Sequence, residues 1–196
     1  MAVKNQNWML FGIDTRELAR VWTSSWIEFL WGEDSPLRRR FDDKIKLISE
    51  HEVKVLQSGN PLEEGEADLE AIALPESLFL ERKLILPVAS LAELKTILVN
   101  EVIASSPFSQ EDTSWGWSRE LSDTGHFVIR LALASNSGIH DYLRSKYNAV
   151  DLTQAEVWGL ADGHWIVFQG FGEGLRVSRY TRRLIRTSIM LFCLFA

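Results

Sequence analysis

The stretch "SLAELKTILVNEVIASS" constrains the architecture most. Its apolar residues Leu91, Leu94, Ile97, Leu98, Val102 and Ile103 recur at steps of three and four, the spacing of one helix face. Ser90 stands where an N-cap hydroxyl accepts a backbone N–H, and Glu93, three residues on, completes a capping box. Pro107 disfavours helical geometry in Ser106 and sets the end. The face carrying Leu94, Ile97, Leu98 and Val102 is expected to pack on a sheet. Strand-like runs lie on both sides: "AIALPESLFLERKLILP" before it, then "TSWGWSREL" and "HFVIRLALA", read as a hairpin joined through "SDTG". The predicted class is therefore α+β with mixed sheets.

The remaining segments fit that class. "WMLFGID", "ELARVWTSS" and "IEFLWG" read as a meander of strands, followed by a charged turn, "EDSPLRRRFDD", and two more strands, "KIKLISE" and "HEVKVLQ". "SGNPLEEGEADLE" is punctuated by Gly, Asn and Pro and marks a lobe boundary. "SGIHDYLRSKY" predicts a second helix, and "AVDLTQAEVWGL" and "GHWIVFQGF" two further strands. The expected division is a strand-rich lobe over 1–70, a second lobe over 71–183, and a membrane-directed segment over 186–196.

Composition removes several functions. A net charge of -6 and a pI near 5.3 argue against nucleic-acid binding, which needs cationic surface to displace counterions from phosphates. Cys193 is the only cysteine, so there is no intrachain disulfide framework, no Cys-rich zinc site and no CxxC pair. The N-terminal "MAVKNQNWMLFGID" has an apolar stretch too brief for a signal-peptide core, so this part is expected to remain in the cytoplasm.

The C-terminal "RYTRRLIRTSIMLFCLFA" points to a membrane. Residues 189–196 would cover roughly 12 Å as a helix against about 30 Å of hydrocarbon, so this run reads as the truncated start of a transmembrane helix. Arg176, Arg179, Arg182, Arg183 and Arg186 precede it, the bias of a cytoplasmic flank.

Candidate chemical motifs are weaker than their structural readings. In "FGIDTREL" a strand ends on Asp14 as in a phosphate loop, but Thr15 and Arg16 replace the glycine that lets backbone amides approach phosphates. "SDTGHF" has the Asp-Thr-Gly of an aspartic protease, yet occurs once where two carboxylates must share a site, and a hairpin turn fits it better. "GFGEG", with Gly170, Gly172 and Gly174, lacks the GxGxxG spacing and a following helix of the required kind; a flexible approach to the membrane is expected there. His51, His126, His140 and His164 have no metal-ligand spacing. Cys193 lies in the apolar run, where a hydrated nucleophile is not expected, and the eight tryptophans read as core or interface packing. The expectation is a chain that is not an enzyme and carries no cofactor or metal.

Residues 74–118, "LPESLFLERKLILPVASLAELKTILVNEVIASSPFSQEDTSWGWS", resemble the GspL and PilN group of inner-membrane assembly proteins of type II secretion and type IV pili. The resemblance lies in Leu74 and Pro75, the strand into Leu86 and Pro87, the helix from Ser90, and Pro107 with Phe108 before an aromatic strand. It extends more weakly through "VIRLALASNSGIHDYLRSKYNAVDLTQAEV", with "FGIDTREL" similar to a degenerate first actin-like strand; residues 35–70 depart from it.

The resemblance implies degenerate actin-like (ribonuclease H-like) lobes of the PilM type, a bacterial inner-membrane location with this region in the cytoplasm, and an adaptor that docks the assembly ATPase. Other platform proteins would be partners, with the membrane reached through the C-terminal helix; a homodimer is left open. Docking through the acidic segment, Glu63, Glu64, Glu66 and Glu70, is an expectation from charge complementarity, whereas a solvated face is the simpler reading. The alternatives are a nucleotide-binding actin-like switch and an enzyme of unknown chemistry.

Overall fold

Helix, not strand, occupies most of the first region. The computed structural model describes residues 9–10, 13–32, 35–50, 52–62, 65–147 and 154–195, and the chain divides into two units, 1–41 and 42–196. In the first unit β1 (Met9–Leu10) pairs antiparallel with β2 (Ile13–Asp14), which runs directly into α1 (Thr15–Trp31); α2 (Pro36–Phe41) follows. The expected meander is thus corrected to a helix, and the expected charged turn contains a second. The physical reason is a four-residue step through Leu18, Trp22, Trp26 and Leu30, which stacks side chains on one helix face. Trp22 meets Trp26 edge-to-face at 5.8 Å, and Trp26 meets Phe29 in the same way. Pro36 occupies the first position of α2, where its missing N–H costs nothing, and the Ser35 hydroxyl accepts from the Leu37 N–H at 3.2 Å.

The second unit contains, in chain order, β3 (Lys44–Ile48), β4 (Val53–Gln57), β5 (Asn60–Leu62), β6 (Leu69–Leu74), β7 (Phe79–Pro87), α3 (Leu91–Ser105), β8 (Thr113–Leu121), β9 (His126–Ser135), α4 (Asn136–Lys146), β10 (Glu156–Ala161), β11 (His164–Val167) and α5 (Glu173–Phe195). Six strands form a mixed sheet in the order β11-β10-β6-β3-β4-β5. β3, β4 and β5 make an antiparallel meander, β6 runs parallel to β3, β10 parallel to β6, and β11 antiparallel to β10. The class is α+β, as the sequence predicts. β6 and β10, two of the three strands that run parallel to one another, are buried along nearly their whole length, as strands covered on both faces must be. The lobe boundary expected at residue 70 falls within β6, a strand of this sheet.

A second, antiparallel sheet has the order β7-β9-β8, and β8 and β9 form the hairpin predicted through "SDTG". Gly125 in that turn has φ +73°, a conformation that favours glycine. α3 lies on the face of Leu131 and Leu133, where Val102 packs with them and with Trp115 and Trp117. Its capping box is formed: Ser90 Oγ accepts from the Glu93 N–H, and the Ser90 N–H donates to Glu93 at 2.9 Å. Leu94, Leu98 and Val102 are buried, but Ile97 is 41% exposed, so the buried stripe is narrower than the sequence pattern suggests. The opposite face of β8 approaches β11 so closely at Gly116 that an added Cβ would strike the Val167 carbonyl. There the Gln169 N–H donates to Trp115 O at 3.0 Å and Ser114 Oγ donates to Gln169 O at 2.9 Å. α4 closes the core between the sheets, with Ile139 and Leu143 among Ile72, Phe79, Val157 and Phe168.

Candidate functional site

The predicted arginines are not one solvated patch. α5 begins at Glu173, and its first turns place Arg176 over the sheet, where the guanidinium is buried between two carboxylates. Arg176 Nε donates to Glu156 Oε1 at 2.8 Å and Nη1 to Asp42 Oδ2 at 3.2 Å. The other Glu156 oxygen accepts from Trp158 Nε1 at 2.7 Å, and the guanidinium lies 5.6 Å from the centre of the Trp158 ring. A buried charge set of this kind persists only when each member is paired. Two turns on, Arg183 pairs with the buried Asp43 and reaches Asp68 at 4.0 Å, while Arg179 donates to Asp68 O at 3.4 Å. Burial pushes the Asp43 carboxyl above the usual aspartate range, against the opposing pull of Arg183.

Arg182 and Arg186 are exposed, together with Ile185, Ile189, Met190 and Leu194. So the five arginines divide in function: Arg176, Arg179 and Arg183 bind the helix to the sheet, and Arg182 and Arg186 accompany an apolar surface beyond it. Asp42, Asp43, Glu156 and Trp158 are the members sequence reasoning missed. A signal existed in "QAEVWGL", where one carboxylate interrupts an apolar strand and must find a cation. The acidic segment is not gathered into this cluster. Glu66 is exposed, Glu70 is exposed and pairs with Lys46 at 3.2 Å, and Glu63 and Glu64 lie outside the described residues.

The other motifs resolve locally. Asp14 passes straight into α1, without the turn and second strand expected after it. The "GFGEG" segment does lead into a helix, contrary to expectation, but its Gly170 and Phe171 N–H groups each donate to the Glu173 carboxylate at 2.8 Å. The helix's own side chain thus occupies the place an anion would take. Gly172 is required there, since a Cβ would strike the Gln154 carbonyl. His126 contacts Thr124 O, His140 lies against Phe171, and His164 reaches Glu120 at 3.5 Å; His51 lies outside the described residues. No group of potential metal ligands occurs among the described residues. Cys193 is exposed on α5, which corrects the expectation of a thiol shielded from water. Trp158 is core, whereas Trp22 and Trp26 are exposed.

A second ionic group ties the β10–β11 turn to the antiparallel sheet. Arg130, buried on β9, donates through Nε to Asp162 at 3.2 Å and through Nη2 to Glu120 at 3.0 Å, and Lys83 reaches Asp162 at 3.4 Å. The Arg130 hydrogen bond, then Lys83, hold the Asp162 carboxyl below its ordinary value of 3.8. A depressed folded pKa contributes stability that is present above the unfolded value and lost as pH falls through the folded one. The margin of the wild-type protein over Asp162→Asn, measured by urea unfolding, is therefore expected to be full above pH 3.8 and to shrink below it. A margin that holds constant or widens on acidification contradicts the assignment.

Comparison with family models, curated proteins and solved structures finds no match. The functional reading is carried by the residues of this chain. Among the described residues, no helix is long and apolar enough to cross a membrane.

Proposed function

We propose that this chain is a cytoplasmic adaptor domain of a bacterial inner-membrane assembly platform, for type II secretion or type IV pili, that recruits the assembly ATPase to the membrane and is not itself an enzyme. The observation that carries the reading is α5. One continuous helix is fastened at its start by buried charge pairs and presents Ile185, Ile189, Met190 and Leu194 with Arg182 and Arg186 toward its end. A domain that must transmit its position to a membrane needs such a rigid joint, and the mixture of apolar and cationic side chains suits an anionic lipid surface. The degenerate actin-like (ribonuclease H-like) reading is supported by the order β5-β4-β3-β6-β10, an antiparallel meander continued by two parallel strands. The nucleotide-switch alternative has less support, because Asp14 enters a helix without a glycine turn and the amides after Gln169 are already capped by Glu173.

The test is affinity capture with the full 196-residue chain as bait from detergent-solubilised native membranes. Recovery of a secretion or pilus ATPase, reduced when Glu63, Glu64, Glu66 and Glu70 are reversed to lysine, is the expected result. Recovery unaffected by the reversal removes the acidic docking site alone. A folded bait that captures no such ATPase overturns the adaptor reading.

A further inference from the structure

Strand β7 pairs on one side only, with β9, and is nine residues long. Along its other side, residues 80–87 have no backbone partner among the described residues. A long open edge is a template for another strand, and proteins usually shorten or block it. Here it also carries exposed apolar side chains, with Leu80 49% and Ile85 69% exposed. Between them the sequence reads Glu81, Arg82, Lys83, charges of opposite sign two residues apart on one face.

We propose that β7 pairs antiparallel with β7 of a second copy of this chain about a two-fold axis at Arg82, joining two three-stranded sheets into one. A continuous sheet built this way sets residues of the same parity opposite each other, so the central pair must be a residue and its own copy. Centred on Arg82, the register places Glu81 opposite the second copy's Lys83, Leu80 opposite Leu84, and Phe79 opposite Ile85. Centring on Glu81 or on Lys83 instead sets like charges together and leaves the other charge against an apolar residue. The Arg82 pair is the one like-charged contact, and each Arg82 already has Glu101 at 2.9 Å. Lys83 pairs with Asp162 at 3.4 Å within its own chain and would be shared with the incoming Glu81. Pro87, which has no N–H to donate, falls opposite residue 77, beyond the strand. The pairing adds to the adaptor reading without depending on it.

The experiment is sedimentation equilibrium on the full chain and on Glu81→Lys, Lys83→Glu and the double variant. The wild-type protein is expected to dimerise with a dissociation constant below about 1 mM, the weak end of specific association. Each single reversal makes residues 81 and 83 alike and is expected to weaken the dimer at least about tenfold, because two cross-strand pairs turn repulsive. The double variant restores opposite signs and should restore the dimer. Mixing the two single variants should give a heterodimer, since lysines of one then face glutamates of the other. A wild-type chain that stays monomeric up to about 1 mM overturns the proposal, and so does a dimer that the single reversals leave intact or the double variant fails to restore.

Discussion

Arg176→Ala is expected to cost about 3–5 kcal/mol of folding stability, the range for breaking a buried ion pair from one side. The guanidinium is nearly inaccessible, and its two carboxylate partners, Asp42 and Glu156, each keep only 1% of their side-chain surface. Removing the cation leaves two anions buried away from solvent, which is the larger part of the cost; the lost hydrogen bonds at 2.8 and 3.2 Å are the smaller part. An exposed pair such as Lys46 with Glu70 offers the contrast, since its removal should cost less than about 1 kcal/mol. Urea unfolding of both variants measures the difference. Adding Glu156→Gln to Arg176→Ala should recover part of the loss, because it removes one of the stranded charges while the amide can still accept from Trp158 Nε1. If Arg176→Ala unfolds like the wild-type protein, α5 is not held by this cluster, and the joint on which the adaptor reading depends is absent.

The same cluster separates what the sequence could express from what it could not. The five arginines were visible as a group, but their division was not, because Asp42 stands 134 residues from Arg176 and Glu156 stands 20 residues away. Only the fold brings Asp42, just before β3, and Glu156, at the start of β10, to one guanidinium. Local signals did better. Ser90 and Glu93 formed their box, Pro107 ended α3, and the hairpin through Gly125 formed where small turn residues separate two strand-like runs. The segment of α1 reads as strand because Trp, Thr, Val and Ile favour strands by propensity, and in "ELARVWTSSWIEFLW" that preference masks the four-residue step from Leu18 to Leu30. Packing on a helix face overrode it.

Leu98→Ala should cost about 2–5 kcal/mol, and its neighbour Ile97→Ala much less. Both belong to the stripe legible in the sequence, but the structure separates them: Leu98 is 0% exposed and Ile97 41%. Leu98 lies one turn before Val102, which packs with Leu131, Leu133, Trp115 and Trp117, so truncation opens a space that the rigid β8–β9 hairpin cannot collapse to fill. Lost transfer energy and the cavity both enter the figure. Ile97 already faces solvent over much of its surface, and its truncation should stay within about 1 kcal/mol unless a partner covers it. Denaturant unfolding of the two variants side by side decides the point. Equal, small costs would mean that α3 is not seated on the sheet, and the stripe would then belong to an interface with another protein; a large cost at Leu98 alone places α3 in the core and leaves Ile97, Val99 and Ile103 as its exposed apolar residues.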